Sequence, residues 1–210
     1  MIISPGMYQH PESGPQRTIS FLHLPDLTAA PALVTQLWIN QIAFTHGADC
    51  LPILASDGAG PCVLIGGWEG TEKRGFLCHM LYGCAIHSTL QEAVARIAGP
   101  ESKDREVHIW LSGGRSESSA IPDTRAVLSN LRSLYPNLSV VHDTMGQKEP
   151  AAGSLVIDTR VGIGYRLDRQ HPAMRDLPPS QMETWEDLQV SVSNAPARIT
   201  YDSLTNGRKP

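Results

Sequence analysis

Short apolar runs broken by glycine and proline dominate the middle of the chain, and their periodicity separates strands from helices. Runs at 51–55 and 62–65 flank Ser56-Asp57-Gly58-Ala59-Gly60-Pro61, which reads as two strands joined by a tight loop. Residues 76–82 form a third apolar run, and 107–111, 138–141, 155–157 and 163–167 supply further strands. Between them, residues 88–98 place Leu90, Ala93, Val94 and Ile97 on one helical face. A capping-box pattern of Ser88 and Gln91 opens that helix, and Gly99-Pro100 ends it. A second helix is expected over 122–134, with Pro122 in its first position and Val127, Leu128, Leu131 and Leu134 turned inward. The order β-β-β-α-β-α-β-β-β predicts an α+β fold: a layered sandwich of mainly antiparallel strands with two core helices.

The flanks are patterned differently. A proline- and glycine-rich start leads into a β-like run at 18–24. An additional N-terminal helix is then predicted over 28–44, with Leu33, Leu37 and Gln41 or Phe44 on one stripe, Val34 and Trp38 beside it, and Gly47 as its stop. Beyond residue 168, Pro172, Pro178, Pro179 and Pro196 stand among polar residues and imply an irregular wrap, although 188–192 alternates like a short edge strand. The chain thus divides into a leader (1–47), a central domain (48–168) and a C-terminal extension (169–210).

Composition narrows the function classes. Of 210 residues, 41% are hydrophobic and 18% charged, as in ordinary globular proteins, and the net charge of −4 lacks the basic excess of a nucleic-acid binder. Apolar stretches fall far short of the roughly 20 residues that a spanning helix needs, so no membrane insertion is expected. The first fifteen residues show no basic start and no sustained apolar run. Together with four cysteines lacking framework spacing, this predicts free thiols and a cytoplasmic protein.

The candidate chemistry lies at the first glycine loop. Cys62 follows Gly58 and Gly60 directly, so a thiol is held by a strand yet approached by a loop whose backbone can come close to a substrate. Backbone N–H groups around Gly58, Gly60 and Pro61–Cys62 are candidates to face a developing oxyanion, commonly the largest electrostatic contribution to acyl transfer. A thiol also needs a base. In Gly75-Phe-Leu-Cys-His79-Met-Leu-Tyr82, alternation puts Leu77, His79 and Leu81 on one face, so adjacent strands could bring His79 to Cys62.

This arrangement resembles the CheD family of chemoreceptor glutamine deamidases. That family carries a T-x-G-x-G-S-C loop and, 17 residues after the cysteine, a histidine in a G-x-x-A-H-x-x-L strand. Here Ser56 to Cys62 has the same length and both glycines, and Cys62 and His79 are 17 residues apart. Val107-His-Ile-Trp-Leu-Ser-Gly-Gly114 is similar to the family's strand ending in Phe-Gly-Gly. The helix through Asn130, Val140-Val141-His142-Asp143, Met145-Gly146 and the final hairpin at 154–167 follow in the family's order. The resemblance covers about residues 48–168. It implies a CheD-like fold, Cys62 as nucleophile, His79 as base, and Ser56, in place of the family's Thr, orienting the base. It also implies a protein substrate, an exposed glutamine on a chemoreceptor signalling domain, with a CheC-type phosphatase as regulator and no cofactor. Pro61 replaces the usual Ser and removes one backbone N–H beside the nucleophile; Cys78 stands where Ala is common. A non-catalytic adaptor with this fold, or a deamidase acting on another protein such as a host target, is an alternative.

Other readings use overlapping residues. Cys78, His79, Cys84 and His87 lie close in sequence but lack the paired spacing of a zinc site, and Cys78 and His79 should face opposite sides of a strand. Cys84, ahead of a helix, is an alternative nucleophile. A papain-like set of Cys62, His142 and Asp158 keeps that class's chain order but starts from a strand rather than a helix.

Overall fold

The structure, a computed structural model, describes residues 33–81, 85–99, 104–116, 118–147, 153–165 and 196–205. Its elements run β1 (Val34–Leu37), β2 (Gln41–His46), β3 (Ile53–Ala59), β4 (Val63–Glu69), β5 (Arg74–Met80), α1 (Ile86–Ala98), β6 (Val107–Gly113), α2 (Ala120–Leu134), β7 (Leu138–Asp143), β8 (Gly153–Asp158), β9 (Ile163–Tyr165) and β10 (Arg198–Asp202). From β3 to β9 this is the order that the sequence pattern predicts.

Two sheets form, one of four strands in the order β1-β3-β8-β9 and one of six in the order β10-β2-β5-β4-β6-β7. Antiparallel pairings (β2 with β5, β4 with β5, β4 with β6, β3 with β8, β8 with β9) outnumber the parallel ones (β1 with β3, β10 with β2, β6 with β7). Alternation along the strands of the six-stranded sheet builds two cores at once. Ile42, Phe44, Val63, Ile65, Phe76, Cys78, Met80, Ile109 and Leu111 pack against α1 and α2. Ala43, Cys62, Leu64, Leu77 and Trp110 face the other way and meet Leu54, Leu155 and Ile157 of the smaller sheet. The result is three layers: helices, large sheet, small sheet.

Glycines let the two sheets touch. A Cβ on Gly66 would strike the Ile157 side chain, and one on Gly153 would strike the Gly113 backbone. The strand ends around Gly113 and Gly153 are therefore packed main chain to main chain, next to the loop that carries Cys62.

The N-terminal helix predicted over 28–44 is not formed at residues 33–46; its start lies outside the described residues. Val34–Leu37 and Gln41–His46 are strands, separated by a turn in which Asn40 adopts φ 58°. Two physical causes override the helical stripe. Val34, Thr35, Ile39, Ile42 and Thr45 are β-branched, and Asn tolerates the left-handed turn. Pairing of β1 with β3 and β2 with β5 then satisfies the backbone within the sheets. The extension supplies β10, a strand for which its sequence shows no clear signal, parallel to β2. Strands from both flanks thus belong to the same sheets as the 48–168 segment. The expectations at 18–24 and 188–192 fall outside the described residues.

Smaller differences concern helix ends. α1 begins before Ser88, whose hydroxyl donates back to the Ala85 carbonyl (3.2 Å) rather than capping. Gly99 closes the helix as expected, at φ 82° with its N–H on the Ala95 carbonyl. Pro122 is the third residue of α2, and Leu134 is 46% exposed because the last turn runs past the core. Among the described residues, no helix is long and apolar enough to cross a membrane.

Candidate active site

Cys62 sits immediately before β4, at the centre of the large sheet. β4 and β5 pair with Leu64 opposite His79 and Val63 opposite Met80. Cys62 and Leu64 share a face, as do His79 and Leu81, so Cys62 and His79 are diagonal neighbours on the face toward the small sheet. Such diagonals lie about 7–8 Å apart at Cα, with side chains closer. The register thus places the two on one face of the sheet, on adjacent strands. Each is 1% exposed.

The smaller sheet contributes the third residue. Ser56, on β3, is 1% exposed, and its hydroxyl lies 2.9 Å from His79 Nδ1 and 2.9 Å from the Leu37 carbonyl. A carbonyl only accepts, so the single hydroxyl proton of Ser56 goes to Leu37. His79 Nδ1 must therefore carry the proton and donate to Ser56 Oγ, which leaves Nε2 as a bare lone pair. Nε2 is buried and has no hydrogen-bond partner among the described residues. Burial also pushes the imidazole down to about 3, so His79 is neutral at physiological pH. Nε2 is therefore the ring nitrogen open to a proton, and the same burial makes it a weaker base than a solvated histidine. Among the described residues, Nε2 makes no hydrogen bond to Cys62 Sγ.

The glycine loop is built around the Cys62 backbone. Gly58 takes φ 77°, and the Gly60 N–H donates to the Gly58 carbonyl (2.8 Å). That bond withdraws Gly60 as an oxyanion donor, and Pro61 has no N–H to offer, so the donor role proposed for the loop is narrowed. Gly60 and Pro61 instead form a crest: Pro61 is exposed, and a Cβ on Gly60 would meet nothing within 4 Å. The Cys62 carbonyl accepts from Gly114 N–H (2.6 Å), and the Pro61 carbonyl accepts from Ser118 Oγ (3.0 Å). Gly113 (φ 78°) and Gly114 (φ 70°) make this approach, and a Cβ on Gly113 would lie 2.6 Å from the Cys62 carbonyl. Gly113-Gly114 therefore fix the Cys62 backbone. Sequence order suggested their relevance; only the β4–β6 register shows the contact.

The rival sets are not assembled in the same way. Asp158 is held by Arg160 through Nε (3.0 Å) and Nη2 (2.7 Å), and β6 separates the strand of His142 from that of Cys62. Cys78 turns to the helix side and donates to the Ile65 carbonyl (3.4 Å), away from His79. Cys84 lies outside the described residues. Among the described residues, no cluster of three or more His, Cys, Asp or Glu is placed to hold a metal ion. Sequence reasoning missed Asn40, which binds the His79 strand from the turn before β2. Its Asn-in-a-turn signal was hidden inside the predicted helix. The sequence matches no family model and no curated protein.

Proposed function

We propose that this protein is a cysteine-dependent amidase that converts glutamine side chains of a partner protein to glutamate. The observation that carries the reading is the buried His79, with Nδ1 tied to Ser56 and Nε2 vacant on the face of Cys62. In the first step, Nε2 takes the Cys62 thiol proton as sulfur attacks the carboxamide carbon, giving a tetrahedral oxyanion. The imidazolium so formed is a strong acid in this dry setting. It hands its proton to the amide nitrogen, the C–N bond breaks, ammonia leaves, and a thioester remains. Nε2 then deprotonates a water that attacks the thioester, and collapse returns the thiol and releases glutamate. Ser56 keeps the imidazole in the required tautomer throughout.

Resemblance to the CheD deamidases supports a helical chemoreceptor signalling domain as substrate, a CheC-type phosphatase as regulator, and a cytoplasmic setting. The same chemistry on a different protein target is compatible with the flanking segments. The near-complete burial of Cys62 favours one alternative from another class: an adaptor that keeps the fold without the reaction. Ammonia release from chemoreceptor signalling domains, with Cys62→Ser as blank and a mass gain of about 1 Da at the modified glutamine, tests the proposal. Wild type releasing no more ammonia than the blank across receptor and non-receptor proteins would leave the adaptor.

A further inference from the structure

The geometry points to Asn40 as a positioning residue for His79. This rests on the reading of His79 as the base, and it concerns a residue outside the segment that resembles a known family. His79 is the penultimate residue of β5, and the strand ends at Met80. A base at a strand terminus sits where the ladder is weakest, because the chain beyond it is leaving the sheet. Asn40 closes this end from the β2 side. Its backbone N–H donates to the His79 carbonyl (2.7 Å), and its side-chain Oδ1 accepts from the Leu81 N–H (3.1 Å). The two bonds straddle His79–Met80–Leu81 and fix the backbone on the C-terminal side of the imidazole.

Several features show that this clamp is specific. Asn40 is 7% exposed and sits at φ 58°, a conformation that Asn tolerates and most residues avoid. That turn lets backbone and side chain of one residue reach both sides of His79. The clamp is itself anchored, since the Asn40 carbonyl accepts from Arg198 N–H (2.8 Å) on β10. On its other side, His79 is held through Ser56 to the Leu37 carbonyl at the end of β1. The turn joining β1 and β2 therefore supports the ring from both ends: Leu37 through the hydroxyl at Nδ1, Asn40 through the backbone.

Asn40→Gly and Asn40→Asp separate positioning from folding. Glycine keeps the positive φ and both backbone bonds but deletes Oδ1, whereas aspartate keeps an acceptor at that place. The readouts are kcat and KM for ammonia release, and ring 15N signals of histidine-labelled protein, with His79 assigned by loss of its signals in His79→Gln. Asn40→Gly should lower kcat roughly tenfold to a hundredfold, as for a group that orients a base, with KM changed less than about threefold. Its His79 signals should move from the Nδ1–H form toward mixed tautomers. Asn40→Asp should restore wild-type ring signals and kcat to within about threefold. Wild-type kcat and ring signals in Asn40→Gly overturn the assignment, as does failure of Asn40→Asp to rescue. If wild type releases no ammonia while the ring signals still respond to Gly and recover with Asp, the deamidase reading falls and the positioning role stands.

Discussion

Two polar clusters in this protein, one half-buried and one fully buried, are finished differently. At the β2–β3 turn, Asp49 accepts from Tyr201 Oη, which lies 2.9 Å from each carboxylate oxygen, and from Leu51 N–H (3.3 Å), while the Thr45 hydroxyl proton goes to the Leu51 carbonyl (2.8 Å). Burial alone would raise this carboxyl, but its hydrogen bonds hold it well below the usual carboxylate range. The Tyr201 contact fastens β10 to the β2–β3 turn. Around His79, by contrast, one nitrogen is tied and the other is left vacant. Burial acts unopposed and the ring stays neutral. A hydrogen-bonded charge adds rigidity, whereas a buried atom left without a partner costs stability.

The strongest way to break the comparison is to remove the reactive groups. Cys62→Ala and His79→Ala should each lower deamidation by roughly 10³-fold or more. The fold should survive Cys62→Ala, because the side chain is small and leaves little cavity. Near-wild-type ammonia release from Cys62→Ala would move the nucleophile elsewhere, with Cys84 the next candidate.

Ser56 sharpens the same contrast with a smaller effect. Ser56→Ala removes the acceptor for Nδ1–H and should cost about tenfold to a hundredfold in kcat, whereas Ser56→Thr keeps the hydroxyl and should stay within a few fold of wild type. Equal kinetics for wild type and Ser56→Ala would reduce Ser56 to a packing residue.

The opposite cluster should respond in stability and not in chemistry. Tyr201→Phe removes a charge-assisted hydrogen bond to Asp49 and should lower unfolding free energy by about 1–3 kcal/mol, measured by urea denaturation, with kcat unchanged. A loss of kcat at constant stability would tie β10 to the site more directly than the contrast allows.

pH dependence reads the two clusters with predictable signs. For Asp49 the folded-state value is lowered, so its stabilisation is present above the unfolded value near 3.9 and is lost as pH falls below it. The folded-state value of His79 is also lowered, but here the charged form is the protonated one. The unfolded chain binds a proton below about 6.5 that the folded protein refuses until about 3, so His79 removes stability as pH falls through that window. Its share of the slope is at most ~1.4 kcal/mol per pH unit and should vanish in His79→Gln. For the same reason kcat/KM should show no acid limb near 6.5. An inflection there would mean that His79 titrates as a solvated ring.

Much of this was legible in the chain. Apolar alternation located β3 to β9 and both helices, because an element that buries one face must repeat its apolar residues at its own period. The same alternation put Leu77, His79 and Leu81 on one face, where an adjacent strand could bring Cys62 alongside. The Gly58/Gly60 loop and the terminal Gly99 were read from conformational need. The flanks were misread or silent: the stripe at Leu33 and Leu37 fits a helix as well as two short strands, and strand pairing decided between them.

What sequence determined by itself was which residue types could do chemistry and which face each would take along its own strand. Tertiary structure decided everything that joins distant segments. Leu37 meets Ser56 19 residues away, Ser56 meets His79 23 away, and β10 comes back from residue 198 to bond Asn40. Such contacts depend on strand order and register, which periodicity does not encode. The tautomer of His79 is the clearest case, because it follows from where one serine proton points, and that is set only when the two sheets close on each other.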